Sequence, residues 1–217
     1  MNTHPILFRA DMVNALLDGR KTQTRRVVSS RNSIVDGDSG CPRIWPEFRL
    51  DEAWVDPGPS PAGNQGPYLK VPRLTEGDGL VHRVYPRYWI NDLLWVKETW
   101  QSGRDGSFHY AADDGIACEK WRPSIFMKKT DSRLTLRITE VRAERVQDIS
   151  EYDAMREGDP KQGLIASENT HRDWFLSLWD SINAKRGFGV ERNPWVWALT
   201  FEVIRANVIE VSGNDHQ

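Results

Sequence analysis

Met12, Val13, Leu16 and Leu17 recur at helical spacing within ADMVNALLDG, and Gly19 stands where a left-handed residue would end the helix. The short helix this predicts hands the chain to TQTRRVV, whose loose alternation reads as a strand leaving the glycine turn. Lys21 and Thr24 then lie near the helix-to-strand junction. From about residue 29 to residue 90 the periodicity is poor. SSRNS, VDGDSG, DPGPSPAGNQGP and TEGDG are turn formers, and they predict a long inserted loop region. Residues 36–66 in particular are expected to be mobile or extended over the surface, because their glycine, proline and acid content offers little apolar area to offset ordering entropy.

Order returns at DLLWVKETW, a compact apolar run of strand type, and at SRLTLRITEVRAERV, where Leu134, Leu136 and Ile138 alternate with polar residues. SEYDAMREG offers Ser150 as a cap with Asp153 three places on, a helix start that stops at Gly158. THRDWFLSLWDSINAKRG repeats the device with Thr170 and Asp173, and sets Trp174, Phe175, Leu178, Trp179 and Ile182 on one face. WVWALTFEVI alternates as a closing strand. Together these predict a mainly β fold with short helices (α+β), organised as a small barrel with helices at its ends. The 217 residues fit a single domain carrying an elaboration at about 29–90.

Charge refines the picture. The formal net charge is −2, which excludes a generic polycation that binds nucleic acid by bulk attraction. The balance is uneven, however. Residues 9–31 hold six Lys or Arg against two Asp, and residues 122–145 hold seven against three acids, while residues 36–60 carry six acids and two bases. A local anion-binding patch follows if the fold sets the two basic segments side by side. Cys41 and Cys118 are far apart and lack a paired-ligand spacing, so neither a disulfide framework nor a metal site is expected. The opening residues show no leader pattern and no apolar run approaches about 18 residues, which gives a cytoplasmic expectation with no membrane partner.

The residues with chemical interest cluster in GRKTQTRR. A lysine beside a hydroxyl can take its proton if burial or a neighbouring cation depresses the lysine pKa, and Arg20, Arg25 and Arg26 supply cations. A carboxylate is the missing third member, needed to hold the lysine or to shuttle a proton to a leaving group. A phosphate loop is excluded, since Arg20 stands where that pattern requires glycine directly before lysine. The remaining alternative is that Lys21 and Thr24 are ordinary exposed residues of an edge strand.

GRKTQTRR also fits a G-x-K-x-x-T-x-R signature through Gly19, Lys21, Thr24 and Arg26, and in this the chain resembles the ASCH family, whose β-barrel is similar to the PUA RNA-binding domain. The later blocks DLLWVKETW, WRPSIFM, RITEVRAERVQDISEYDAMREG, LWDSIN and NPWVWALTFEVI look like the successive blocks of the longer phage and prophage members. One departure is Asn91-Asp92, where that block often reads Gly-Asp. The resemblance covers residues 5–26 and 91–204. It implies hydrolysis of the amide of an N4-acylated cytosine nucleoside, or of such a base in nucleic acid, as in N4-acetylcytidine amidohydrolases. Lys21, Thr24 and a glutamate would carry the reaction, and block matching puts the glutamate at Glu157, with Glu151 as the fallback. No cofactor or metal is implied. Gly19, Arg20 and Arg26, with Trp121 and Arg122 in a loop-like stretch, are the candidates for ligand contact. The same cleft also suits a non-catalytic reader of RNA, rather than DNA, or of a modified base. A nuclease is a third reading, for which no aspartate-rich metal spacing speaks.

Overall fold

The computed structural model describes residues 1–29, 33–35, 50–58, 66–72, 81–103, 106–113, 120–161 and 170–214. Cys41, Cys118 and most of residues 36–66 lie outside the described residues. The central element is a mixed five-stranded sheet built from β1 (Thr3–Leu7), β2 (Gln23–Val27), β7 (Leu93–Lys97), β10 (Thr135–Arg145) and β11 (Trp195–Ile204), in the order β1-β7-β10-β11-β2. β1 and β7 run parallel and the other pairs antiparallel. The two longest strands, β10 and β11, form the spine. A bulge at Thr139 shifts their register, so that Ile138 faces Phe201 and Glu140 faces Thr200.

The expected closed barrel is not seen. Among the described residues this sheet ends at β1 on one side and β2 on the other, and the architecture is strand-rich α+β with open sheets. The expectation of an unstructured elaboration is corrected where residues are described. β3 (Ser33–Val35), β4 (Trp54–Asp56), β5 (Tyr68–Pro72) and β6 (Val81–Pro86) pair antiparallel in the order β3-β6-β5-β4. Leu69, Val71 and Val84 of this second sheet are fully buried and join the main apolar cluster with Leu136, Ile138 and Leu199. Short alternating runs such as YLKVP were hidden among the turn formers, and tertiary burial on one face decides their state. β8 (Trp100–Ser102) and β9 (Phe108–Tyr110) make a separate hairpin.

Four α-helices occur among the described residues: α1 (Ala10–Leu17), α2 (Glu151–Arg156), α3 (Thr170–Asn183) and α4 (Val208–Asn214). α1 buries Val13, Ala15 and Leu16, the first and last in the main cluster, and ends, as its sequence predicts, with Gly19 at φ 74°. α2 has Ser150 as its N-cap, the hydroxyl accepting from the Asp153 amide at 3.0 Å. α2 and α3 cover the opposite face of β11, where Val196, Ala154, Phe175 and Trp179 form a second apolar cluster. Cover on both faces explains why β11 is buried continuously from Val196 to Leu199 instead of alternately. The buried stripe of α3 is His171, Phe175, Trp179 and Asn183, whereas Ile182 is 44% exposed, so the expected five-residue face is only partly the core face. No helix among the described residues is long and apolar enough to cross a membrane.

The Asn91-Asp92 turn keeps the backbone a glycine would adopt. Asn91 has φ 71°, and asparagine is among the few L-residues that tolerate this region. Its amide donates to the Ile138 carbonyl at 2.8 Å, and Asp92 accepts from the Asn2 and Trp89 amides at 2.8 and 3.0 Å. Asn91→Gly should therefore leave stability within about 1 kcal/mol of the parent. Asn91→Val should lose about 1–2 kcal/mol, a fall in Tm of roughly 2–8 °C by calorimetry.

Candidate active site

Lys21 follows the glycine cap of α1, and Glu157 follows the last residue of α2, so two helix ends bring together residues more than a hundred positions apart. Backbone and side-chain bonds fasten them. The Lys21 amide donates to Ala15 O at 2.9 Å, the Thr22 amide to Arg156 O at 2.9 Å, and Arg156 Nε to Thr22 Oγ1 at 3.0 Å. Arg20 Nη1 donates to Gly158 O at 3.0 Å. Gly158 makes the approach possible: it has φ 102°, and a Cβ there would stand 2.9 Å from Ala15 Cβ and 3.2 Å from Lys21 Cβ. At this junction Lys21 Nζ donates to Glu157 Oε2 at 2.7 Å and to the Glu157 carbonyl at 2.8 Å. Both residues are buried, at 2% and 4% exposure.

A second cation completes the charge balance. Arg25, with no side-chain exposure, donates from Nη1 to Glu157 Oε1 at 3.0 Å, from Nε to Glu144 Oε1 at 2.7 Å and from Nη2 to Asp153 Oδ2 at 3.3 Å. Asp153 also accepts from Gln23 Nε2 and Arg142 Nη2, at 3.0 and 2.7 Å. The guanidinium fork spans three carboxylates from two elements, a geometry that an ammonium group cannot supply. Burial lowers the Lys21 pKa from its ordinary value, against the pull of Glu157, and the charges of Arg26 and Arg25 lower it further. The Arg25 pKa moves the other way. Its burial is outweighed by Glu157 and Glu144.

These residues form one end of a pocket of about 530 Å³. Thr24, on β2 opposite Leu199, lines it beside Lys21 and Glu157 at 4% exposure, and no described group hydrogen-bonds its hydroxyl. Phe8, Tyr88, Phe175 and Trp179 provide aromatic wall, and Arg26 and Arg186 add positive charge. The structure therefore brings Lys21, Thr24, Glu157 and Arg26 into one cavity.

The other candidates lie elsewhere. Gly19 and Arg20 do not line the cavity; Arg20 is tied to Asp18 at 2.7 Å and to Gly158. Trp121 and Arg122 are also outside it. Arg122 pairs through its backbone with Trp100 and stacks over that ring at 5.1 Å, and Ser124 is the member of that stretch that reaches the cavity. The fallback carboxylate, Glu151, accepts from the His171 and Arg172 amides at 2.6 and 2.9 Å, so it serves the N-terminus of α3. Sequence reasoning missed Arg25 as the hub, with Gln23 two residues before it on the same strand face. Period two pointed to that pairing, but not to the three carboxylates that meet it. It also missed Phe8, Tyr88 and Arg186, which sit in the cavity through tertiary packing alone.

Among the described residues, no group of three or more His, Cys, Asp or Glu is placed to hold a metal ion. Comparison of the chain with protein-family models, with characterised proteins and with solved structures found no match.

Two outcomes are expected of the charge network. Arg25→Met leaves Glu144, Asp153 and Glu157 without their shared cation and should cost about 3–5 kcal/mol in urea unfolding, with Arg25→Lys recovering only part. The second concerns acid. Burial alone would raise the Asp153 pKa, but Arg142, Arg25 and the Gln23 hydrogen bond outweigh it, and the carboxyl lies below its ordinary value in the folded state. A group depressed on folding adds stability that is full above its unfolded value, near 3.8, and is lost as pH falls through the folded value. Asp153→Asn should therefore be less stable at pH 7 and show a shallower loss of stability below about pH 4; equal acid slopes in the two proteins would contradict the assignment.

Proposed function

We propose that this chain is a PUA-like ASCH protein that hydrolyses the amide of an N4-acylated cytosine, as a nucleoside or within RNA. One observation carries the reading: the buried Lys21 amine, with its pKa lowered, shares a pocket with the Thr24 hydroxyl, which no described group engages. A fully solvated lysine stays protonated near neutral pH and cannot act as a base. A buried one beside like charges has a larger neutral fraction, which is what proton abstraction requires.

In this mechanism Thr24 Oγ1 attacks the acyl carbonyl and Lys21 takes the hydroxyl proton. The C–N4 bond breaks as a proton passes through Lys21 and Glu157 to the departing N4 amine. Water then cleaves the threonine ester and releases the carboxylic acid. Should Thr24 only position water, the same proton path serves a single displacement. Glu157 holds the amine through two short bonds, side chain and carbonyl, and Arg25 holds Glu157. The aromatic walls suit a flat base, and the volume falls within the range of small-molecule sites. The excess of cationic groups lining the pocket favours the second reading, a non-catalytic reader of modified bases in RNA.

The two readings separate at Lys21. With N4-acetylcytidine as substrate, Lys21→Ala and Lys21→Arg should each lower acetate release at least about 100-fold, since guanidinium does not give up its proton near neutral pH. Thr24→Ala should do the same if the hydroxyl attacks, and the parent kcat/KM should rise with pH along an acid limb lying below the ordinary lysine value. A parent protein that turns over no N4-acylated cytosine nucleoside, yet binds RNA and loses that binding in Lys21→Ala, is the reader.

A further inference from the structure

The pocket is lined by Arg9, Lys21, Arg25, Arg26 and Arg186 against a single carboxylate, Glu157. Three of these cations are already answered. Lys21 meets Glu157, Arg25 meets Glu144, Asp153 and Glu157, and Arg9 meets Asp11 at 3.2 Å. Two are not. Arg26 is half-buried; its Nη2 donates to the Leu7 carbonyl at 3.1 Å and its guanidinium lies 5.2 Å from the Phe8 ring centroid, both uncharged partners. Arg186, exposed on the 3-10 turn after α3, donates from Nη1 to Asn183 Oδ1 at 3.2 Å. Among the described residues neither guanidinium forms an ion pair.

Two like charges converging on one cavity repel each other, and burying either without a counter-charge is unfavourable. The repulsion is felt: burial, and after it the Arg186 charge, lower the Arg26 pKa against the opposing pull of Tyr88 and Glu157. Each guanidinium makes one hydrogen bond among the described residues and keeps further N–H groups, in the planar fork that matches a phosphate. Arg26 follows Thr24 by two residues on β2, so it shares the cavity with the Lys21 and Thr24 pair.

We propose that Arg26 and Arg186 form a phosphate subsite of this pocket, so that its natural ligand is a nucleotide, free or within a strand, and not a bare nucleoside. The inference rests on the hydrolase reading only for the identity of the base.

Binding without turnover tests it. Cytidine, uridine, adenosine and guanosine are titrated by calorimetry against the full chain, each beside its 5′-monophosphate, with a trinucleotide lacking terminal phosphates as a further arm. At least one base should bind about tenfold more tightly as the monophosphate or in the trinucleotide, and that increment should shrink as salt rises. A gain confined to the monophosphate identifies a free nucleotide, and one confined to the trinucleotide identifies a strand phosphate. Arg186→Gln, at an exposed position, should reduce the increment to about twofold or less, and so should Arg26→Gln wherever its thermal melt shows it folded. An increment absent for every base, one that survives Arg186→Gln, or no binding of any probe overturns the proposal. Phosphate preference without acetate release from N4-acetylcytidine or its monophosphate would sink the hydrolase and spare the subsite. Acetate release from both at equal kcat/KM, with no difference in binding, would do the reverse.

Discussion

Everything in the site depends on one buried ionic contact, in which Glu157 is held from two sides by Lys21 and Arg25. Such contacts are expensive to desolvate, and they persist only when each charge is matched and each polar atom engaged. Here the matching draws in Glu144, Asp153, Gln23 and Arg142, so that β2, β10 and α2 are locked to one another by polar geometry where apolar packing alone would allow sliding. The absence of a side chain at Gly158 is the steric condition for the contact, and the helix cap at Gly19 is the directional one. The same contact sets the chemistry, because it desolvates the Lys21 amine while giving it a carboxylate to rest on.

A useful distinction follows between the two faces of β2. Gln23 points to the charge network under α2, Thr24 and Arg26 belong to the cavity, and Arg25 does both, anchored in the network while lining the cavity. Arg25 is thus where the scaffold of the strand meets its cavity surface. The cavity is completed by α3 and by the segment from Pro5 to Arg9, which bring the aromatic rings and Arg186.

The sequence made much of this visible, and the parts it hid have physical causes. The helix with its glycine stop, the β10 and β11 runs and the Ser150 cap were legible because each is a local pattern. Lys21 and Thr24 were legible from motif spacing, and Glu157 from block order. Arg25 was visible only as one more cation, since its meaning depends on three carboxylates supplied from β10 and from α2 and its C-terminal end. The second sheet escaped notice because Gly and Pro around YLKVP suggested loop, while the burial of Leu69 and Val71 is a tertiary fact. Trp121 and Arg122 stand in a loop-like stretch near charge, but Arg122 pairs through its backbone with Trp100, and it is Ser124 of that stretch that lines the cavity. The Asn91 turn shows the converse. Asparagine stands there at φ 71°, in the left-handed region that it shares with glycine, so the turn does not require glycine.

The strand order also has a temporal side. β2 pairs only with β11 in the five-stranded sheet, and β11 ends at Ile204, near the other end of the chain. During synthesis at about 5–20 residues per second, β2 therefore waits roughly 10–35 s for its partner. Over that interval its backbone groups are unpaired, and the adjacent charges of Arg25 and Arg26 disfavour pairing with another chain. The charges that later serve the cavity thus first act as a guard on the nascent polypeptide.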